Sequence, residues 1–266
     1  MRFVLFVFLV CVSSLTLCIS GVRAGAFLQP DDDWQIITTS RFTGSTRAFD
    51  AKGKLVPVPS YTKFELGAYI EYGAGDWLTL ILQPALARIY SEGPPLSQYY
   101  GLGSIEAGAR VQLMRTDDVV ISAQAIAHAP GSRSTVNPAL VGNTGFEFDV
   151  RALVAAPFEI AEMPGFADAQ LGYRVRRDSP ADEIRFDVSL GIRPWSRLLL
   201  LAQSFNILAS TAGGPGFPRM RQHKFQLSAV WDFSRSYSIQ GGAFTTLASS
   251  NARQEYGMVT GVWYRF

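Results

Sequence analysis

Residues 183–193 read EIRFDVSLGIR. Glu183, Arg185, Asp187, Ser189, Gly191 and Arg193 alternate with Ile184, Phe186, Val188, Leu190 and Ile192, so one side chain in two is apolar. A period of two belongs to a strand with unlike faces, and a helix cannot produce it.

The same dyad recurs on both sides of this stretch. In KFELGAYIEY, Lys63, Glu65 and Glu71 oppose Phe64, Leu66, Ala68, Ile70 and Tyr72. In SIEAGARVQL, Glu106, Arg110 and Gln112 oppose Ile105, Ala107, Ala109, Val111 and Leu113. FEFDVRALV sets Glu147, Asp149 and Arg151 against Phe146, Phe148, Val150 and Ala152, and ADAQLGYRVR sets Asp168, Gln170, Arg174 and Arg176 against Ala169, Leu171, Tyr173 and Val175. Such segments predict about twelve strands, beginning near residues 34, 61, 78, 103, 119, 147, 166, 183, 198, 223, 237 and 254. Two fit poorly: LLLLAQSFN is apolar on both faces at its start, and LTLILQPALA carries Pro84 where a ladder donor is expected. No segment sustains a 3.6-residue period, so helix is expected to be nearly absent.

The connections sharpen the reading. Short turns at 73–76, 115–118, 194–197 and 233–236 alternate with longer loops expected around 43–60, 90–102, 130–145 and 209–222. FEIAEMPG reads as a longer turn on the short side and DSPAD as a compact loop on the long side. An even-stranded antiparallel up-and-down meander of this layout predicts an all-β transmembrane barrel of the outer-membrane kind, with both termini on the periplasmic side. Trp34, Trp77, Trp195, Trp231 and Trp263 all map to that rim, joined by Tyr72, Phe233, Tyr237, Tyr264 and Phe266. Amphipathic rings favour the membrane–water interface, so these form the expected girdle. The last strand, GMVTGVWYRF, puts Met258, Thr260, Val262, Tyr264 and Phe266 on one outward face and resembles the signal read by the barrel-assembly machinery.

The N-terminus fits an exported protein. MRFVLFVFLVCVSSLTLCISGVRAGA has a basic start, an apolar run and a Val22-Arg23-Ala24 cleavage pattern, which predicts a signal peptide over 1–24 and a barrel over 25–266. Cys11 and Cys18 both lie in the signal, so the mature chain holds no thiol for a disulfide or a nucleophile. Arg2 and Arg23 leave with it. The 24 basic residues then fall to 22 against 22 acidic ones, and nothing points to nucleic acid.

If apolar residues face lipid, the alternate residues face inward, because a charge at the bilayer midplane is costly. The lumen candidates are Glu65, Glu106 and Arg110; Glu147, Asp149 and Arg151; and Asp168, Arg174, Arg185 and Asp187. Lys63, Glu71, Lys224 and Glu255 share their orientation. Two readings of this mixed-sign set stand together. One is internal ion pairs plugging a narrow barrel; the other is a channel wall for a polar solute. A 12-strand barrel lies between the filled size of about 8 strands and the water-filled size of about 16. An enzyme is not expected. His128 would need its loop folded back to pair with Ser132, and His223 reads as a rim residue. Neither histidine has a partner at ligand spacing, and no metal or cofactor is expected. Arg219, Arg221 and Lys224 in GGPGFPRMRQHK read either as a solvated surface or as contacts to lipopolysaccharide or an acidic polymer.

Across residues 25–266, phrases such as GAFLQP, GAGDWLTL, GNTGFEFDVRALV, LLLLAQSFN and FTTLASSNARQEYGMVTGVWYRF resemble the XagA-like family of bacterial outer-membrane proteins. The resemblance implies a pore or accessory in exopolysaccharide secretion and biofilm formation, with polysaccharide and periplasmic export components as partners. It carries no functional residues with it. Two further functions fit the residues: a diffusion or uptake porin for small polar solutes, and a closed structural or surface-interaction barrel.

Overall fold

The computed structural model describes residues 25–93, 95–132, 137, 139, 145–177 and 180–266. The expected signal peptide and most of the 130–145 loop lie outside the described residues. The chain forms one closed antiparallel barrel of 12 strands in which sequence neighbours pair and β12 returns to β1. The strands are β1 Trp34–Phe49, β2 Leu55–Gly73, β3 Leu78–Ser91, β4 Ser97–Arg115, β5 Val120–Pro130 and β6 Glu147–Ile160, followed by β7 Met163–Arg176, β8 Glu183–Trp195, β9 Leu198–Ala209, β10 Arg221–Asp232, β11 Tyr237–Ser250 and β12 Ala252–Arg265. No α-helix occurs among the described residues.

The dyad sets the orientation of the wall. Phe186 and Leu190 are 48% and 49% exposed on the outside, whereas Asp149 and Arg110 on the inside are 1% and 4% exposed. Both poorly fitting segments are strands. β9 is LLLLAQSFNILA, and β3 accommodates Pro84 at a bulge where its ladder to β4 shifts register. Pro lacks the donor that a regular ladder position needs, so an interruption is where it is tolerated.

The expected loops at 43–60 and 90–102 are largely strand. β1 and β2 stay paired up to Phe49–Leu55, and β3 and β4 up to Ser91–Ser97. Their ends mix polar and apolar residues without alternation and are rich in Ser, Gly and Pro, so the dyad fades although the backbone ladder continues. A spanning strand needs only about 9–11 residues, and β2 and β4 have 19 each, which carries them past the apolar band. FEIAEMPG, expected as a longer turn, is likewise mostly strand. Ala161 and Glu162 alone join β6 to β7, with φ of 50° and 62°. Two successive positive φ values give the type I′ twist that matches paired strands.

Both ends of the described chain lie at the short-turn end of the barrel. The Trp34 N–H donates to the Phe266 carbonyl at 2.8 Å, and their rings stack at 6.1 Å. Tyr264 stacks on Phe266 and on Tyr237, so aromatics cover the seam. Trp34, Trp77, Trp195 and Trp231 are exposed on this rim. Trp263 is a correction to the expected girdle. It is 5% exposed and points inward among Phe166, Leu199, Leu201 and Val230. Strand parity requires it, since Val262 and Tyr264 occupy the outer face.

The orientation of the wall makes a stability prediction. Leu190→Arg should cost about 2–4 kcal/mol, while Leu247→Arg near the long-loop end of β11 should cost about 0–1 kcal/mol. Equilibrium unfolding from lipid bilayers checks the difference.

A charged lumen with an internal N-terminal strap

Residues 25–33 run inside the barrel before β1 begins. Their hydrogen bonds trace a path across the wall at the short-turn end. Ala26 N–H donates to Asp168 Oδ2 on β7 at 2.9 Å, and Ser122 Oγ on β5 donates to the Ala26 carbonyl at 2.6 Å. The Phe27 carbonyl accepts from Arg110 on β4, and Gln29 N–H donates to Thr79 Oγ1 on β3. Gln29 Nε2 then donates to Glu71 on β2 at 2.7 Å, and Asp32 and Asp33 exchange backbone hydrogen bonds with Gly73. The strap therefore crosses from β7 to the foot of β1.

Its apolar side chains have dedicated partners. Phe27 packs against two buried patches: Phe166, Leu199, Leu201, Val230 and Trp263 on one side, and Ala26, Val120, Leu153 and Ala155 on the other. Ala26 and Leu28 are themselves buried. This explains why β9 opens with leucines on both faces: Leu198 and Leu200 turn outward, while Leu199 and Leu201 meet the strap.

Arg110 is the polar anchor. Its Nε and Nη2 donate to Gln124 Oε1, Nη2 also donates to Tyr69 Oη, and Nη1 reaches both Glu71 Oε1 at 3.0 Å and the Phe27 carbonyl at 2.9 Å. A guanidinium has five N–H donors, and these five contacts engage them all. Glu71 in turn accepts from Tyr69 and from Gln29, so the wall pair and the strap share one network.

A second network climbs the wall of β6, β7 and β8. Arg151 binds Asp149 at 2.6 Å and Asp187 at 2.7 Å; Arg174 binds Asp149 and Glu147; Arg176 joins Glu147 to Glu183; and Arg185 ends on Glu183. The ladder follows strand register, because Asp149 lies opposite Arg174 and Glu147 opposite Arg176. The remaining candidates pair elsewhere: Glu106 with His128 at 3.0 Å, Glu65 with Lys63, and Glu255 with Lys224. His128 Nδ1 is thus directed to Glu106, while His223 Nδ1 meets Asn206 Oδ1 at 2.8 Å. Beside the charged ladder a neutral amide stretch of wall runs from β8 to β12: Gln203 binds Gln226 and Ser189, and Gln240 joins Ser228 to Trp263 Nε1.

These walls border a cavity of about 470 Å³ whose lining includes Arg41, Tyr69, Arg151, Arg185, Phe205 and Trp263, with Gly25 of the strap among its bounding residues. Glu106 and Arg174 also line a second cavity of about 220 Å³, shared with Lys63, Tyr99 and His128. The residue pattern does not mark the strap or the amide wall, and it assigns Trp263 to the girdle instead. The signal available was the run Ala26-Phe27-Leu28, apolar without a dyad, together with the doubly apolar start of β9.

No family model and no curated protein sequence matches the chain. Solved structures do. The COG4313 outer membrane channel from Pseudomonas putida F1 superposes with a TM-score of 0.72 at 16% identity, covering 91% of this chain and 98% of that one. The translocator domain of the autotransporter NalP from Neisseria meningitidis gives 0.55 at 13% identity, covering 90% of each chain. The fold is that of an outer-membrane β-barrel.

Removing one member of the anchor tests its weight. Arg110→Met strands the buried Glu71 carboxylate and should cost about 3–5 kcal/mol, much of it recovered by adding Glu71→Gln. Denaturant midpoints of the two variants check this.

Proposed function

We propose that the protein is an outer-membrane channel for small polar solutes, with the strap and both termini facing the periplasm and the strap restricting the lumen. The observation that carries this reading is the cavity of about 470 Å³ bordered by the charged ladder, by neutral amides such as Gln203 and by Gly25 of the strap. Its size falls within the roughly 300–1,000 Å³ typical of small-molecule sites. The lining supplies donors and acceptors of both signs, suited to a hydrated solute stripping part of its shell. A barrel serving only as a scaffold has no need of such a chamber. The likeness in fold to the Pseudomonas channel supports the same reading.

The XagA-like resemblance supports a second reading, a pore or accessory for exopolysaccharide secretion. Tyr69, Phe205 and Trp263 beside hydrogen-bonding groups form the kind of wall that sugars contact by stacking and hydrogen bonding. A polymer would need the strap to leave the lumen. In either case β12 would be the segment read by the barrel-assembly machinery, and Arg219 and Arg221 would meet lipopolysaccharide at the long-loop end.

Planar-bilayer recording should show a small, stable conductance for the parent protein. Phe27→Ala, which removes the apolar anchor of the strap, should raise it several-fold. Block by oligosaccharides at lower concentration than monosaccharides would favour the polymer route. Silence from both folded proteins would sink the channel reading.

A further inference from the structure

Asp168 differs from the other carboxylates of the lumen. Glu71, Asp149, Asp187, Glu147 and Glu183 each face a guanidinium at 2.6–3.0 Å. Asp168 is 1% exposed, and among the described residues it receives only neutral donors, Ala26 N–H on Oδ2 and Gln170 Nε2 on Oδ1, each at 2.9 Å. A buried carboxylate without a counter-charge is unfavourable even when it accepts hydrogen bonds. The backbone against it is Gly25. At this residue φ is +71°, and a Cβ built there would fall 1.7 Å from Asp168 Oδ2. Only glycine fits that conformation and that contact. In the sequence Gly25 is the residue directly after the Val22-Arg23-Ala24 cleavage pattern.

We propose that the chain is cut between Ala24 and Gly25 and that Asp168 is the docking site for the new α-ammonium group of Gly25. The proposal rests on the strap reading given above. Hydrolysis by the signal-processing peptidase adds water across the Ala24–Gly25 amide, leaving a carboxylate on the leader and an amine on Gly25. That amine takes a proton at neutral pH, since an α-amino group titrates near about 8. The cation is thereby created next to the one lumen carboxylate for which the described residues supply no ionic partner. Processing then does more than release the barrel for assembly. It completes the polar seat of the strap, with the α-ammonium at its start, the Phe27 ring between the apolar patches, and Arg110 beyond.

The test combines mass measurement with conductance. The intact mass of protein extracted from outer membranes should correspond to a chain beginning at Gly25; a different start overturns the proposal. The α-amine, far less basic than the lysines, is then acetylated selectively near neutral pH in denaturant and the chain refolded. Acetylation should raise single-channel conductance several-fold, as should Asp168→Asn, which keeps an acceptor for Ala26 N–H but loses the charge. Acetylation of Asp168→Asn should add little. Independent, additive effects, or no effect of acetylation, would overturn the ion pair. Phe27→Ala separates the two levels. If it opens the channel while acetylation and Asp168→Asn do not, the strap reading survives and the ion pair fails. If none of the three changes conductance, both fail.

Discussion

The interior of this barrel is organised around one ion pair, Arg110 with Glu71. Both groups are buried, and each is held in place by the other and by Tyr69. A buried pair gains little over an apolar substitute, but breaking it leaves an uncompensated charge, so such pairs act as fixed points. Here the fixed point has spare valences turned toward the lumen. The guanidinium presents Nη1 to the Phe27 carbonyl, and the carboxylate accepts from Gln29. The strap is thus seated by groups that the wall must keep rigid for its own stability.

The ladder on β6 to β8 obeys the same logic at larger scale. Charges two residues apart on one strand share a face, and register places their opposites directly across. Glu147 and Asp149 on β6 meet Arg176 and Arg174 on β7 without any long-range arrangement beyond pairing the strands. Because Arg151, Arg174 and Arg176 each bridge two carboxylates, losing one residue perturbs several neighbours, and the wall behaves as one unit. The amide wall beside it is joined by hydrogen bonds between neutral groups. A solute in the cavity therefore meets the stiff charged ladder and, next to it, neutral donors and acceptors, with Arg41 of β1 also in the lining.

Much of this architecture is legible in the residue alternation. The twelve strands, and inward charges such as Asp149, Arg151 and Asp187, follow from a period of two. What the alternation misreads are positions where a second environment replaces lipid or solvent. The ends of β1 to β4 lose the dyad because they extend past the lipid that enforces an apolar outer face, so Arg47 and Pro57 look like loop while remaining paired across a register shift. Residue type alone puts Trp263 on the girdle, whereas its parity with Arg265 and opposition to Val262 and Tyr264 put it inside. The strap itself has no period, and its contacts to β2, β3, β4, β5 and β7 are fixed by closure of the barrel, which no local pattern encodes.

The balance of forces on the strap bears on whether it is a wall or a door. Burying Phe27 and Leu28 contributes about 1.5–3 kcal/mol each. The hydrogen bonds made by Ala26, Phe27 and Gln29 add about 0.5–1.5 kcal/mol apiece. Ordering the backbone costs about 1–2 kcal/mol for every residue held. With a handful of residues and a similar number of hydrogen bonds, the gains and the cost have the same size. The seat is therefore near balance, unlike the barrel wall, whose ladder is closed on every strand. The inner faces of Leu199, Val230 and Trp263 add an asymmetry, since withdrawing Phe27 exposes them to water in the lumen and penalises the open state. A segment held by marginal terms, against a wall held by cooperative ones, is the part of this molecule that a solute, a partner or a single charge is able to move.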